Sequence, residues 1–170
     1  FSSELVKDII LKSVSMMQEL GFEQFTFKKL SSKIDCTESA IYRYFENKHK
    51  LLLFLNSWYW WYLEQNFVFG TANLTDPFQK LEIAIKILVN GPIFTQNDFI
   101  DPVSLRKLIT DEANKAIMTK EVDEEYQKGF FNHFNKLSER IADIILEINP
   151  EFEFPKSVKM TKIEINEKSG

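Results

Sequence analysis

Apolar residues recur every three or four positions along most of the chain, which is the periodicity of amphipathic helices. The first such pattern ends at Gly21, where a helix is expected to stop. Two short helices are predicted next, capped by Thr26 and Thr37 and separated by a tight turn at residues 35–36. The second of them ends near Phe45. Two short helices joined by a tight turn and braced by a longer first helix form a helix-turn-helix.

The remaining pattern is also helical. A fourth helix is predicted from Asn47 to about Phe67, and it is apolar on nearly all sides, as in helices buried between layers. Further helices are predicted from Asp76-Pro77 to about Val89, from Asp101-Pro102 to about Met118, and from Asp123 to Ile148. No element is predicted after Pro155. The chain is therefore predicted to be all-α, with a three-helix DNA-binding unit at 1–47 and a larger helical domain at 48–170.

The last predicted helix carries a heptad seam, in which apolar residues alternate steps of four and three. The seam consists of Phe130, Phe134, Leu137, Ile141, Ile144 and Ile148. Two interpretations stay open: the seam packs within its own chain, or it forms an interface between two subunits.

Charge is distributed unevenly along the 170 residues. The formal net charge is −4. Between residues 26 and 50, however, six Lys and Arg face three acidic residues, so this segment carries +3 and the rest −7. A locally basic segment on an acidic protein is a possible footprint for nucleic acid.

Several classes of protein fit the sequence poorly. No apolar run is long enough for a membrane helix, and the first residues lack a signal-peptide layout, so a cytoplasmic protein without a membrane partner is expected. The chain lacks an initial Met and is read as possibly beginning after an omitted segment. The single cysteine, Cys36, is expected to be a small buried residue of the turn, and no metal or cofactor is predicted. No grouping typical of an enzyme is apparent.

The predicted third helix divides into two faces, as a recognition helix requires. On a helical wheel Ile41, Tyr44 and Phe45 face the core, and Glu38, Ser39, Tyr42 and Arg43 face outward. Groups suited to phosphate crowd the predicted helix starts: Thr26, Lys28 and Lys29 at the second, Thr37 at the third, and Lys48 at the fourth. Helix N-termini favour anions through their dipole and free N–H groups.

The stretch "GFEQFTFKKLSSKIDCTESAIYRYFENKHKLLLFL" resembles the DNA-binding domain of TetR-family transcriptional regulators. The matching positions are Gly21, Thr26, Leu30, Thr37, Ile41, Tyr42, Phe45, Asn47, Lys48 and Leu51. The resemblance implies phosphate contacts for Thr26, Thr37, Tyr42 and Lys48, and base contacts around Glu38, Ser39, Ala40 and Arg43. It also implies a C-terminal domain that binds a small effector and dimerises.

Aromatic residues of the fourth helix allow two interpretations. Trp58, Trp61 and Tyr62 either belong to the core or form the wall of an effector pocket, since such pockets are largely aromatic. Glu112 lies among apolar neighbours and needs a partner; a structural pairing is favoured over contact with an effector. His133, alone on its helix, is expected to be structural.

The sequence is thus interpreted as a ligand-responsive transcriptional repressor that binds a palindromic double-stranded DNA operator as a homodimer. The effector is an unknown small molecule, with a hydrophobic one as a possibility. The alternative is a TetR-like helical protein that carries a lipid or other hydrophobic ligand without binding DNA.

Overall fold

The computed structural model describes residues 4–91, 100–117 and 129–154, and within them the chain forms seven helices without a strand. They are α1 (Glu4–Gln24), α2 (Phe27–Lys33), α3 (Glu38–Tyr42), α4 (Lys48–Thr71), α5 (Pro77–Asn90), α6 (Pro102–Ile117) and α7 (Asn132–Ile148). The predicted all-α class, with an N-terminal helix-turn-helix and a helical remainder, is confirmed.

Side-chain caps fix the starts of the three helices that were predicted around the helix-turn-helix. Thr26, Thr37 and Asn47 are the N-cap residues of α2, α3 and α4. Each side-chain oxygen accepts a hydrogen bond from the backbone N–H three residues on, at 3.2, 3.2 and 2.8 Å respectively. These bonds satisfy N–H groups that a helix leaves without an internal partner, and they set the register of all three helices.

Two residues with positive φ shape the DNA-binding unit. Gly21 has φ 76° and ψ 157°, so α1 is kinked there although the helix is continued to Gln24. A residue with a Cβ atom would be strained at this φ, whereas glycine adopts it freely. The interruption of the helix therefore falls at the glycine where the sequence predicted the helix to stop. Asp35 has φ 52° in the turn between α2 and α3. Aspartate tolerates this left-handed conformation better than most residues, so the tight turn forms without glycine.

The long helix α4 is the centre of the fold. It packs against α5, α6 and α7, while α1 packs against α6, and α2 packs against α1 and α3. Buried apolar residues from α1 to α7 form one continuous cluster, which includes Ile9, Leu52 and Ile144. The cluster crosses the predicted boundary between residues 47 and 48. The division into two domains therefore stays a prediction.

The last helix is shorter than the pattern indicated. It was predicted to begin at Asp123, but α7 begins at Asn132, after a turn at residues 129–131. The turn depends on Gly129, whose φ is 83° and where a Cβ atom would lie 2.8 Å from the Asn132 Nδ2 atom. The predicted segment 123–128 and the tail from Pro155 onward lie outside the described residues.

The heptad seam packs within its own chain. Leu137 and Ile144 are buried, and Phe130, Ile141 and Ile148 are partly buried against the same core. Helix α7 packs on α4 and α5, so the intrachain interpretation accounts for the seam. Phe134 is the exception, because its side chain is 42% exposed.

Asp101 caps α6 more extensively than Asp76 caps α5. Its carboxylate accepts hydrogen bonds from the Ser104 hydroxyl at 2.6 Å, the Ser104 N–H at 3.0 Å and the Val103 N–H at 3.2 Å. Asp76 accepts one from the Phe78 N–H at 3.0 Å. The Ser104 hydroxyl contributes most to lowering the pKa of Asp101 below its ordinary value.

We expect Asp101→Ala to lower the free energy of unfolding by about 1 kcal/mol at neutral pH, because a helix cap is lost. The matched variant Asp76→Ala is expected to lower it less. Because the pKa of Asp101 is lower in the folded protein, its ionised carboxylate stabilises the fold fully above the unfolded-state pKa of about 4. This stabilisation is lost as the pH falls through the folded-state pKa. Urea denaturation at two pH values checks both points. If the two variants lose the same free energy of unfolding, and the loss is the same at acid and neutral pH, Asp101 is not the stronger cap.

Candidate nucleic-acid interface

Helix α3 is anchored by two apolar residues and presents a polar outer face. Ile41 and Phe45 are buried, whereas Tyr42 and Arg43 are exposed, as predicted from the wheel. Tyr44 was expected to face the core, but its side chain is 42% exposed. The reason is that α3 ends at Tyr42 and continues as a turn, so the wheel projection does not apply beyond that residue.

Tyr42 is fixed by its ring. The ring meets that of buried Phe27 edge-on, with 5.1 Å between the centroids, while half of the Tyr42 side chain stays exposed. An aromatic contact of this kind orients the phenol without using its hydroxyl group. The arrangement suits the predicted contact with a backbone phosphate.

The capping threonines can serve two functions at once. Thr26 and Thr37 are exposed, and their hydroxyl oxygens accept the cap hydrogen bonds. A hydroxyl that accepts still has its own proton to donate. Each threonine can therefore hold a helix start in place and donate to a phosphate beside it.

Exposed cations flank these helix starts. Lys28 and Lys29 lie on the surface of α2, and the Lys29 Nζ atom donates to the Gln24 carbonyl oxygen at 2.7 Å. An ammonium group has three donors, so Lys29 keeps two for another group. Together with exposed Arg43, these side chains give the helix-turn-helix a positive outer surface.

The other predicted base-contacting residues lie at the start of α3. Ser39 is exposed, and Glu38 and Ala40 are half-buried. Their contacts with bases stay predictions.

The Lys48 side chain has structural partners. Its Nζ atom donates to the carbonyl oxygens of Phe22, Glu23 and Phe25 at 2.9, 3.0 and 3.2 Å, and lies 4.6 Å from the centre of the Phe22 ring. All three donors of the ammonium group are thereby used. A phosphate contact by this group would have to replace at least one of these bonds. Lys48 thereby joins the first turn of α4 to the corner between α1 and α2, and its contact with phosphate stays a prediction.

Glu112 holds the same corner from α6. It is buried, and its Oε1 atom accepts a hydrogen bond from the Phe22 N–H at 3.1 Å. The structural pairing that the sequence favoured is thus present. Glu112 is not among the described residues that line the aromatic cavity.

A shallow cavity of about 280 Å³, wide open to solvent, lies between α4 and α7. It is lined by Phe54, Ser57, Trp58, Trp61 and His133. Of the predicted effector residues, Trp58 and Trp61 lie in its wall, while Tyr62 is buried and stacks on Trp58. The place of His133 in this wall was missed, since its sequence neighbours give no sign of it.

Buried Glu64 explains where His133 lies. The Glu64 Oε2 atom is 2.6 Å from the His133 Nδ1 atom, and the Oε1 atom is 3.8 Å from the Arg140 Nε atom. Glu64 was the signal in the sequence, because a carboxylate on the otherwise apolar helix α4 needs a polar partner from another part of the chain.

A continuous row of aromatic rings leads from the cavity to the recognition helix. Ring centroids of Trp58 and Phe54 are 5.4 Å apart, and those of Phe54 and Phe45 are 5.5 Å apart. Phe45 lies directly after the turn that follows α3. A displacement of Phe54 in the cavity wall would therefore act directly on the anchor of the DNA-binding face.

Two further observations limit the chemistry of the described residues. Burial, and then the charge of Asp35, raise the pKa of the Cys36 thiol, so it is not an activated nucleophile.

No helix in the described ranges is both long and apolar enough to cross a membrane.

Comparison with known proteins identifies the DNA-binding unit. Residues 9–54 match the model of the family described as "Bacterial regulatory proteins, tetR family". Residues 9–54 therefore form a DNA-binding domain of the TetR type. The matched segment contains every predicted DNA contact, from Thr26 to Lys48. With this domain, the protein is a DNA-binding transcriptional regulator.

Other comparisons add little. A solved structure titled "Crystal structure of apo AibR" is similar to this protein over 82% of this chain and 73% of that chain. The sequence identity is 12% and the TM-score is 0.47. A search of curated proteins gave no significant match.

Proposed function

We propose that this protein is a cytoplasmic homodimeric repressor, which binds a palindromic double-stranded operator and releases it when a small ligand occupies the aromatic cavity. The observation that carries the proposal is that Phe54 both lines the cavity and contacts Phe45, the anchor beside the recognition helix.

Ligand response follows from this contact. A ligand that enters between Phe54 and Trp58 changes the position of the Phe54 ring, and Phe45 moves with it because the two rings are packed together. Lys48 transmits movement of α4 to the corner between α1 and α2. The ligand favours release only if it binds the DNA-free arrangement more tightly, since a ligand shifts an equilibrium by its difference in affinity.

Two copies are needed because one helix-turn-helix reads few base pairs. Helix α5 offers a surface for pairing. Its side chains Phe78, Ile85 and Leu88 are 66%, 53% and 41% exposed, and Leu81 between them is half-buried. These four positions follow steps of three, four and three, which is the spacing of a coiled-coil seam. These four residues define the α5 seam. The α5 seam is the proposed dimer interface, a role for which the seam of α7 was considered from the sequence.

The α5 seam is self-complementary. In an antiparallel pair of α5 helices, Phe78 faces Leu88 of the partner subunit, and Leu81 faces Ile85 of the partner subunit. A second copy of the chain is therefore the proposed occupant of this surface, as expected for a two-fold symmetric interface.

Selection of binding sites from a random DNA pool tests the proposed function. We expect the wild-type protein to enrich an inverted repeat whose half-sites are about 10 base pairs or more apart, because a symmetric dimer places two recognition helices on one face of the duplex. The enrichment should disappear when a ligand of the cavity is present.

The variant Arg43→Ala should relax one position in each half-site, at a cost of about 1–3 kcal/mol for a lost base contact. Lys28→Ala is the matched control on the same surface, and it should weaken binding without altering the selected motif. Enrichment of an unrepeated motif would refute the dimer. An Arg43→Ala motif identical to that of the wild type would show that Arg43 contacts only the DNA backbone.

A further inference from the structure

The backbone of Phe22 is held by charged side chains from two helices outside the helix-turn-helix. Its N–H donates to the Glu112 Oε1 atom of α6 at 3.1 Å. Its carbonyl oxygen accepts a hydrogen bond from the Lys48 Nζ atom of α4 at 2.9 Å. Glu112 and Lys48 together are called the Phe22 clamp. It joins the corner between α1 and α2 to both α4 and α6.

The residue before the clamp is suited to act as a hinge. Gly21 has φ 76° and ψ 157°, so the helical geometry of α1 is interrupted there. Glycine has no Cβ atom and adopts many combinations of φ and ψ, and hinges are formed by a few residues that absorb such changes. Rotation at Gly21 would turn α2 and α3 relative to the first part of α1.

Helix α6 holds the chain on both sides of this hinge. Before Gly21, the Gln18 Nε2 atom donates to the Ser104 carbonyl oxygen at 2.7 Å. After Gly21, the Phe22 N–H donates to Glu112. The first bond fixes α1 on α6 but allows rotation at Gly21. The second bond opposes that rotation, because it fixes the chain beyond the glycine to the same helix.

Burial makes the second bond costly to break. Glu112 and Phe22 are each 7% exposed, so the Phe22 N–H has little access to water. A hydrogen bond to a charged group is stronger than one between neutral groups, and a buried donor that loses its acceptor is left unsatisfied. The corner is therefore held in one orientation as long as Glu112 is in place.

The orientation of the corner matters for DNA binding because the contacts of α2 and α3 have to be made together. Both helices follow Phe22 in the chain and are exposed on the face that carries Lys28 and Arg43. When only a fraction of the molecules holds the competent arrangement, the apparent affinity falls by that fraction.

We propose that Glu112 is a positioning residue for DNA binding, which fixes the orientation of α2 and α3 through the Phe22 N–H. It acts from a buried position on α6 and not by contact with DNA. The proposal requires DNA binding but neither a ligand nor the α5 seam, so it stands or falls separately from the ligand response and the proposed dimer.

Two substitutions separate the hydrogen bond from the bulk of the side chain. Glu112→Met keeps the length but loses the acceptor, and it should weaken binding to a selected operator about tenfold or more, as expected if the competent arrangement falls to about a tenth of the molecules. Glu112→Gln keeps an oxygen that can accept from the Phe22 N–H and should stay within about twofold of the wild type. The log–log salt slope should be the same in both variants, since the cations that face DNA are unchanged.

Gln18→Met is the matched control, because it removes the hydrogen bond between α1 and α6 on the other side of Gly21. Its operator affinity should stay within about twofold of the wild type, since the hinge is still held by Glu112. Amide hydrogen exchange measured by NMR reports on the clamp directly. The Phe22 N–H should exchange about tenfold faster or more in Glu112→Met and at the wild-type rate in Gln18→Met.

Melting curves give the folded fraction of each variant, and affinities are compared per folded protein. If Glu112→Met does not fold, Glu112→Asp decides, because its carboxylate is one methylene shorter and should weaken binding by about threefold or more. Wild-type affinity in whichever of the two is used would overturn the proposal. Equal losses in Glu112→Met and Gln18→Met, or a loss in Glu112→Gln as large as that in Glu112→Met, would overturn it as well. The same holds for a Phe22 N–H whose exchange is unchanged in Glu112→Met.

Discussion

Replacing Lys48 by methionine is expected to lower the free energy of unfolding by about 2–4 kcal/mol, because several hydrogen bonds from one charged group are lost together. The ammonium group binds three carbonyl oxygens at the corner between α1 and α2 and lies over the Phe22 ring. Methionine keeps the length and apolar character of the side chain but has no donor. Water can reach the more exposed of these carbonyls, so the loss is smaller than the sum of three bonds.

The matched control is Lys28→Met, in which the original side chain is exposed on α2. Its stability should change by less than about 0.5 kcal/mol, as for most surface substitutions. Thermal and urea unfolding of the three proteins give the comparison. A Lys48→Met protein that is as stable as the wild type but binds DNA with a reduced salt dependence would assign Lys48 to phosphate rather than to the corner.

Ile85→Glu is expected to convert the dimer into monomers and to weaken operator binding by about 100-fold or more, since the two half-sites are then no longer engaged together. A carboxylate at the centre of the α5 seam would be buried without a partner when two subunits pair. The side chain is 53% exposed within one chain, so the monomer itself should remain folded.

Val103→Glu provides the control, because Val103 is an exposed apolar residue of α6, outside the α5 seam. This variant should remain a dimer and bind the operator as the wild type does. Sedimentation velocity measures the assembly state, and titration of labelled operator measures affinity. If Ile85→Glu sediments as a dimer, the subunits pair through another surface.

The features that the sequence predicted correctly depend on short-range interactions. Thr26, Thr37 and Asn47 cap helices through hydrogen bonds to backbone groups three residues away, so the residue type and its position were sufficient. The buried positions of Ile41 and Phe45 followed in the same way from the helical period. The exposure of Tyr44 could not be read from that period, because α3 is only five residues long and the turn after it breaks the pattern.

The features that were missed depend on residues far apart in the chain. His133 meets Glu64 across 69 positions, and Lys48 meets the Phe22 carbonyl across 26. No local pattern contains either pair, since each forms only after α7, or the corner between α1 and α2, has come next to α4. The within-chain packing of Leu137 and Ile144 is of the same kind: a heptad seam shows that a partner helix exists but not whether it belongs to the same chain.

The salt dependence of DNA binding tests the central claim, that the α2–α3 surface of this acidic protein grips duplex DNA. The affinity of the wild type for a selected operator should fall steeply with salt, with a log–log slope of at least about −4 if each subunit of the dimer neutralises two or three phosphates. Replacing Lys28, Lys29 and Arg43 together by alanine should remove most of that slope while the protein stays folded. A wild-type slope near zero, or an equal slope in the triple variant, would contradict the account.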